Sequence, residues 1–571
     1  MTISRADTPY DLAVLGAGPA GLAAAVTAAA AGARVALVDA GPRPGGQYWR
    51  HRAGDEGAPG HGGTAFQRLR YGLTAHADRI DYLAGHSVWH AERTADGFRT
   101  HMVPAHTGSA HMVRTHTAPA HTVGGHIAPD HTGPDHTAPD HTGPDHTDLD
   151  HTGRDHMAAT HTAGSPAGRV LRSRTVVVAT GAYDRQLPFP GWTLPGVFTA
   201  GGVQALLKGQ GVVAGQRIAV TGTGPFLLAV AAGLAEAGAR VVGVFEAGLP
   251  AGLGRHPFAV ARNPAKLAEG ADFLRTLLRH RVPYRTRTAV IAAHGDGEVT
   301  GATVARLDAG WRVMPGSWRR IDCDTLAVGY GFTPQTEIAL QLGCATHRDL
   351  DGSLVATADG RQLSTVPGVY LAGEVCGVGG AALSVTEGEL AGLHAAFVTT
   401  GAAPSRAVVR RLTRRRAAQR GFATALHEAY PVRPGWTTWL DTDTLVCRCE
   451  EVTSEAVTEA VEELGATDAR GVKLYARPGM GLCQGRVCGY AVGCLVAART
   501  GRAPTEDDLR SMAGRPVAQP LTLGTLAAGL GTDDPEPGLD TAPDVDAPAP
   551  EPDPAPAPIP DDSTSDQKSG Q

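Results

Sequence analysis

The sequence predicts an α/β chain made of two strand–turn–helix–strand units and a smaller, mainly helical unit after them. Three observations predict it. Residues 10–39 read as an apolar strand, a Gly16-x-Gly18-x-x-Gly21 turn, an alanine-rich helix and a second strand ending on Asp39. Residues 216–246 repeat this pattern around Gly222 and Gly224 and end on Glu246. Four of the eight cysteines pair as Cys447-x-Cys449 and Cys483-x4-Cys488. A chain of 571 residues is long enough for two or three domains with sizeable cores.

In the first unit, YDLAVLG is the strand, GAGPAG the turn and LAAAVTAAAAGA the helix, which stops at Gly32. Gly16 permits the tight turn, Gly18 lets backbone approach a pyrophosphate, and Gly21 allows the helix to pack closely on the strand. The helix N-terminus, opened by Pro19 and Ala20, offers free N–H groups and a positive dipole end to phosphates. Asp39 lies 18 residues after Gly21, placed to accept hydrogen bonds from ribose hydroxyls. Strand, helix, second strand and terminal acid agree on a dinucleotide site, without choosing between FAD and NAD. Two later strands favour a flavoprotein: TVVVATGA, ending on Thr180 and Gly181, and GVYLAGEV, ending on Gly373 and Glu374 before a glycine-rich turn.

The second unit carries Leu227 where a third glycine would stand, which implies a bulkier helix–strand contact. Two readings stay open. One is NAD binding, with Glu246 on the ribose and excluding a 2′-phosphate. The other is a fold that no longer binds nicotinamide. No Cys-x-x-Cys exists in the chain, so disulfide reduction is not expected.

Four thiolates suit zinc or a 2Fe–2S cluster. Zinc ribbons favour Cys-x2–4-Cys in both pairs, so this spacing favours the cluster. Gly479, Gly481, Gly485 and Gly489 leave backbone N–H groups free to approach sulfides. Thr453 or Ser454 caps a predicted helix bearing Val457, Ala460, Val461 and Leu464 on one face. The second cysteine pair opens another helix. Cys494, six residues past Cys488, reads as a core cysteine.

Two segments fall outside this plan. From His101 to His161 a histidine recurs every five residues, a period of neither helix nor strand, in a Gly/Pro/Asp/Thr-rich context. It reads as a disordered insertion, with flanks ADGFRTH and GRVLRSRTVVVATG as the arms of a β-hairpin. From about Thr532 the chain is Pro/Ala/Asp-rich, with eleven acidic residues against one lysine. This tail is a solvated, disordered extension of net charge −10 that leaves +4 for the rest of a chain at −6 overall. Such values do not indicate nucleic-acid binding. No signal peptide or membrane-length apolar run is evident, so a cytoplasmic location is expected, with room for peripheral membrane attachment. VVRRLTRRRAAQRGFATALHEAY is a basic helix linking the modules, read as a solvated face or a docking surface.

The segments RPGGQYWR, ATGAYDRQLPFPGWTLPGVFTAGGVQALLKGQG, TGTGPFLLAVA, LAVGYGFTPQTE, LAGEVCGVGG, VCRCEEVT and RPGMGLCQGRVC resemble the α-type subunits of heteromeric amine and imino-acid dehydrogenases. These include the corresponding subunits of octopine/nopaline oxidase, of hydrogen cyanide synthase and of D-hydroxyproline/L-proline dehydrogenase. The resemblance covers nearly everything from Tyr10 to about Met512 apart from the repeat. It implies two Rossmann-like, glutathione-reductase-like domains followed by a BFD-like 2Fe–2S domain. The implied division is FAD-binding parts at 8–100, 166–205 and 321–400, the insertion at 101–165, a second dinucleotide domain at 206–320, a linker at 401–440, the cluster domain at 441–512 and the tail at 532–571. Implied FAD contacts are Gly16, Gly18, Pro19, Ala20, Gly21, Asp39, Gly46, Gln47, Thr180, Gly181, Gly373 and Glu374, the last where the family usually has Asp. Gly222, Gly224 and Glu246 mark the second site, and Cys447, Cys449, Cys483 and Cys488 the cluster. The resemblance further implies an FAD-containing β subunit that oxidises a small amino or imino acid, with room for a small ferredoxin-like subunit. An adenine nucleotide other than FAD in the first site and FMN at a subunit interface are compatible with it. The rival reading is a self-sufficient NADH-dependent reductase passing electrons through its own cluster to a soluble carrier.

Overall fold

The computed structural model describes residues 8–55, 62–105 and 168–529. The histidine repeat beyond Ala105 and the acidic tail lie outside the described residues.

The first unit is organised by a seven-stranded sheet whose central strand, Tyr10–Leu15, pairs in parallel with Val35–Asp39 and with Arg169–Val178. Its residues from Leu12 to Leu15 are fully buried, as an apolar run between two covered faces requires. The strand Arg169–Val178 divides its far edge between two partners. Its first half pairs antiparallel with Gly97–Pro104, and its last residues pair in parallel with Val369–Leu371. The expected hairpin arms are therefore neighbours, in register from Phe98 opposite Ser173 to Met102 opposite Arg169. His101, the first histidine of the repeat, is part of this sheet, and its Nε2 lies 3.1 Å from Glu92. Pairing with residues 169–173 reaches Met102, and pairing of Val103 and Pro104 with Ser87 and His86 carries the strand past the point where the repeat begins.

Helix Pro19–Ala30 is buried on most sides because it lies between this sheet and helix Ala381–Thr400. Small residues make that contact possible. A Cβ on Gly388 would stand 2.1 Å from the Ala20 carbonyl oxygen, and one on Gly392 2.4 Å from that of Ala24.

The second unit is a five-stranded parallel sheet in the order Tyr284–Thr286, Arg240–Glu246, Arg217–Gly222, Thr325–Gly329, Val197–Thr199. An antiparallel three-stranded meander, 288–322, packs beside it. Leu227 is fully buried, in one apolar cluster with Ile218, Val220 and Ala327 of the neighbouring strands. The facing position is Gly329, where an added Cβ would lie 3.1 Å from Leu227 Cδ2. The space normally left by the third glycine has moved to the opposing strand.

The basic linker forms helix Arg406–Ala429. Arg410, Arg411, Arg414 and Arg415 are exposed. Arg416 and Arg420 instead close on Glu387, whose side chain is fully buried, at 3.1 and 2.6 Å. Glu387 also accepts from Gly373 N–H, so the pair ties the linker to the turn after Val369–Leu371. Glu387→Ala would strip two guanidinium groups of their buried partner, and a loss of about 3–5 kcal/mol is expected in a denaturant titration. Retention of wild-type stability would refute this.

The last unit carries helices Ser454–Glu462, Ala469–Ala476, Gly489–Arg499 and Glu506–Ala513. Thr453 is the cap of the first, its hydroxyl accepting from Ala456 N–H. This unit shares one hydrophobic core with the second sheet. Tryptophans stitch the two together: Trp192 Nε1 donates to the Leu445 carbonyl at 2.6 Å and Trp439 Nε1 to that of Trp311 at 2.8 Å. No helix among the described residues is long and apolar enough to cross a membrane.

Candidate nucleotide and cluster sites

The turn at Gly16 works by the absence of side chains. Gly16 has φ +108°, and a Cβ there would lie 2.4 Å from the Ala179 carbonyl oxygen. A Cβ on Gly21 would lie 1.7 Å from the Gly16 carbonyl oxygen. Gly18 has open space around it, which leaves its backbone approachable from the cavity. Asp39 closes the turn, accepting from Ala17 N–H at 2.5 Å and Gly41 N–H at 2.6 Å. Burial raises its pKa despite these bonds. Its side chain still reaches the cavity wall.

That cavity has a volume of ≈1830 Å³ and runs past both glycine turns. Gly16, Gly18, Pro19, Ala20, Asp39, Gly46 and Gln47 line its first end, with Thr180, Gly181, Gly373 and Glu374 farther along. Gly21 lies behind the turn, in the helix–strand contact. Glu374 turns its carboxylate to Gly379 and Gly380 N–H at 3.1 and 2.9 Å. Desolvation pushes it up to about 7. The stability given by its neutral form is complete below an unfolded pKa of about 4.3 and is lost as pH rises through about 7. Glu374→Gln keeps one acceptor and cannot ionise. It is expected to flatten the fall of melting temperature between about pH 4.3 and about pH 7; an unchanged slope would contradict this.

At the second turn, Thr223 and Gly224 line the cavity and Glu246 does not. Glu246 is fully buried, with Oε1 accepting from the Thr223 hydroxyl and Gly248 N–H, both at 2.7 Å, and Oε2 from Gly224 N–H at 2.9 Å. Burial pushes it up to about 6. All of these bonds hold the turn itself, so the acid faces the protein where a ribose contact would need it to face the cavity. Gly222 has no room for a side chain, a Cβ there lying 1.8 Å from the Gly329 carbonyl oxygen. Phe422, Leu426 and Tyr430 from the end of the linker helix also wall this part of the cavity.

The four motif cysteines converge. Cys447 ends a short strand, Cys449 follows it, Cys483 lies in the glycine-rich loop, and Cys488 caps helix Gly489–Arg499. Cys447 and Cys488 are buried, Cys483 is partly buried and Cys449 is exposed. Hydrogen bonds with Cys488 hold the Cys447 thiol down to about 6 and the Cys483 thiol down to about 5. Cys488 itself is raised by the same two partners. Gly479 N–H points at Cys447 Sγ at 3.5 Å, and a Cβ on Gly481 would strike Cys449 Cβ. A single zinc ion, with bonds of about 2.3 Å, draws four sulfurs to about 3.8 Å from one another. Among the described residues only Asp349, Asp351 and His427 bring three such ligand atoms within 4.8 Å, so no three of these sulfurs do. The spread thiol set fits a binuclear cluster better than one zinc. Asp351 is already committed to Arg185 at 2.7 Å. Cys494 is partly buried against the same core.

Several residues at the boundary between cavity and cluster loop escaped the sequence reading. Tyr183, Glu337 and Ala518 line the cavity and all contact Arg486, which lies between Cys483 and Cys488. Arg185, fully buried, places its guanidinium 4.3 Å from the ring centre of Tyr490 on the cluster helix. Tyr183, Arg185, Glu337 and Arg486 all fall inside segments that carry the family resemblance, which marks them as a group without showing that they meet; Ala518 falls outside those segments. Ala518 and Gln519 return from the cluster unit to wall the cavity, and Ala518 N–H donates to the Trp89 carbonyl.

Comparison with known proteins identifies two domains. The family described as "Pyridine nucleotide-disulphide oxidoreductase" matches residues 10–397, and the "BFD-like [2Fe-2S] binding domain" matches 445–498. The A-type subunit of opine oxidase from Agrobacterium tumefaciens (strain Ach5) is 30% identical over 533 residues, 91% of each chain. The HcnB subunit of hydrogen cyanide synthase from Pseudomonas aeruginosa is 38% identical over 332 residues, 57% of this chain and 71% of its own. The crystal structure of L-proline dehydrogenase from P. horikoshii superposes with a TM-score of 0.57 at 18% identity, covering 91% of this chain and 79% of that one. FAD or NAD(P) binding and a 2Fe–2S cluster follow from the two matched domains. The chain belongs to the pyridine nucleotide-disulphide oxidoreductase family, in the branch that carries a BFD-like 2Fe–2S domain and includes the A-type subunit of opine oxidase.

Proposed function

We infer that this chain is the electron-transferring flavin and 2Fe–2S subunit of a heteromeric enzyme that oxidises an amino or imino acid. The observation that carries this reading is the direct contact of the cluster loop with the wall of the nucleotide cavity through Arg486. FAD, when bound, supplies exchange between two-electron and one-electron chemistry. On this reading Gly16, Gly18, Pro19, Ala20, Gly21 and Asp39 cradle its pyrophosphate and ribose. Gly46, Gln47, Thr180, Gly181, Gly373 and Glu374 flank the remainder. Cys447, Cys449, Cys483 and Cys488 hold the cluster, and the exposed Cys449 marks the edge open to a redox partner. The relatives that match are named as subunits, which supports a partner chain as the place of substrate oxidation; an FAD-containing β subunit fits that role.

The self-sufficient NADH reductase is not favoured. Glu246 is used up inside its own turn, and the linker helix walls the cavity beside it. The test is affinity purification from the native host, followed by cofactor and subunit identification. A co-purifying flavoprotein, with imino-acid oxidation only in its presence and slow flavin bleaching by NADH, is expected. Fast bleaching by NADH in the isolated chain would overturn the reading.

A further inference from the structure

We propose that Arg486 is a positioning residue that makes the nucleotide cavity and the cluster one electrostatic unit. Its charge raises the cluster's midpoint potential, and Glu337 on the cavity wall opposes it. The inference rests on the 2Fe–2S reading of the four cysteines.

The side chain bridges the two sites. Its backbone lies three residues after Cys483 and two before Cys488. On the cluster side, one terminal nitrogen donates to the Cys483 carbonyl at 3.1 Å and to Gln484 Oε1 at 3.3 Å. On the cavity side, Nε lies 3.0 Å from Glu337 Oε1 and 3.2 Å from the Tyr183 hydroxyl, and the other terminal nitrogen donates to the Ala518 carbonyl at 2.5 Å. Each of these three partners forms part of the cavity wall. Both ends of the ion pair are 9% exposed. Solvent therefore screens neither charge well, and each acts on its surroundings at low effective dielectric. Reduction adds one negative charge to a 2Fe–2S cluster. A fixed cation held against the loop of one ligand favours the reduced state, and a carboxylate paired with that cation reduces the effect.

The two charges therefore predict shifts of opposite sign. R486M removes the cation with little loss of bulk; Glu337, whose pKa burial raises and Arg486 holds down, then takes up a proton more readily, so the downward shift is the smaller of the two. E337Q removes the anion and leaves Arg486 unopposed. At an effective dielectric of about 20 and a separation of order 10 Å, one unit charge changes the reduction equilibrium by about tenfold. The experiment is a dye-mediated redox titration of the purified full chain, followed by the electron paramagnetic resonance signal of the reduced cluster. The expected result is a lower midpoint in R486M, a higher midpoint in E337Q and a nearly unchanged one in R486K. Unchanged midpoints in both neutral variants, or shifts in the same direction, would overturn the proposal, because a packing role has no reason to follow the sign of the charge removed. If R486M does not fold, E337Q decides alone: an upward shift supports the proposal and any other result overturns it. A wild-type chain without a cluster signal would instead count against the cluster reading.

Discussion

Cys488→Ser is expected to take the purified chain from two irons and two acid-labile sulfides per chain to background, the largest single effect on its chemistry. Cys488 caps helix Gly489–Arg499 and is 3% exposed. Its thiol is the shared partner of both Cys447 and Cys483, so it stands at the centre of the donor set. Serine at that place is a harder and far less acidic ligand that holds cluster iron much less well than a thiolate. Cys494→Ser is the control. Cys494 lies six residues along the same helix and packs on the core, so its loss is expected to leave iron and sulfide at wild-type levels. The measurement is colorimetric iron and sulfide together with the visible spectrum. Zinc in place of iron in the wild-type chain would sink the cluster assignment. Full iron in the Cys488 variant would show that another residue completes the site.

Much of this architecture is legible in the residues because it depends on local rules. The glycine turns, the alanine-rich helix, the second strands and the cysteine pairs each act over fewer than about thirty residues, and their physical reasons travel with them. The hairpin arms could be found across the long repeat because each arm carries its own strand pattern, and strands 97–104 and 169–178 do pair. What sequence could not give are the contacts made at long range. Leu227 reads as an obstacle until Gly329, about a hundred residues later, is seen to supply the missing space. Glu246 reads as a ribose ligand because it ends the right strand, yet three donors of its own turn satisfy it. Arg416 and Arg420 read as part of a solvated basic face, while a glutamate on another helix claims both. The Arg486 bridge has no local signature, because its partners come from residues 183, 337 and 518. In each case a charge or a volume is settled by a neighbour that chain proximity does not reveal.

The glycine turn allows folding and binding to be separated, and this gives the second large effect. Gly21→Val is expected to abolish nucleotide binding by breaking the scaffold. Its Cβ would lie 1.7 Å from the Gly16 carbonyl oxygen and 3.2 Å from Val14 Cγ1, and the obstacle is backbone that cannot move without opening the helix from the sheet. Overpacking of this kind costs about 1–3 kcal/mol or more, so the nucleotide-free variant should melt earlier than nucleotide-free wild type, and the variant as purified should carry no flavin. Gly18→Val is the informative contrast. Gly18 has an ordinary φ of −72° and open space around it, so the stripped variant should melt like wild type. A nucleotide pyrophosphate approaching the first turn of helix Pro19–Ala30 would meet the new side chain, and affinity is expected to fall at least about tenfold, or 1.4 kcal/mol. Normal binding by Gly18→Val would show that the phosphates do not approach the chain there. Normal binding by Gly21→Val would show that the turn is not what holds them. A nucleotide site built from absent side chains must respond to both substitutions, and only one of them should disturb the empty protein.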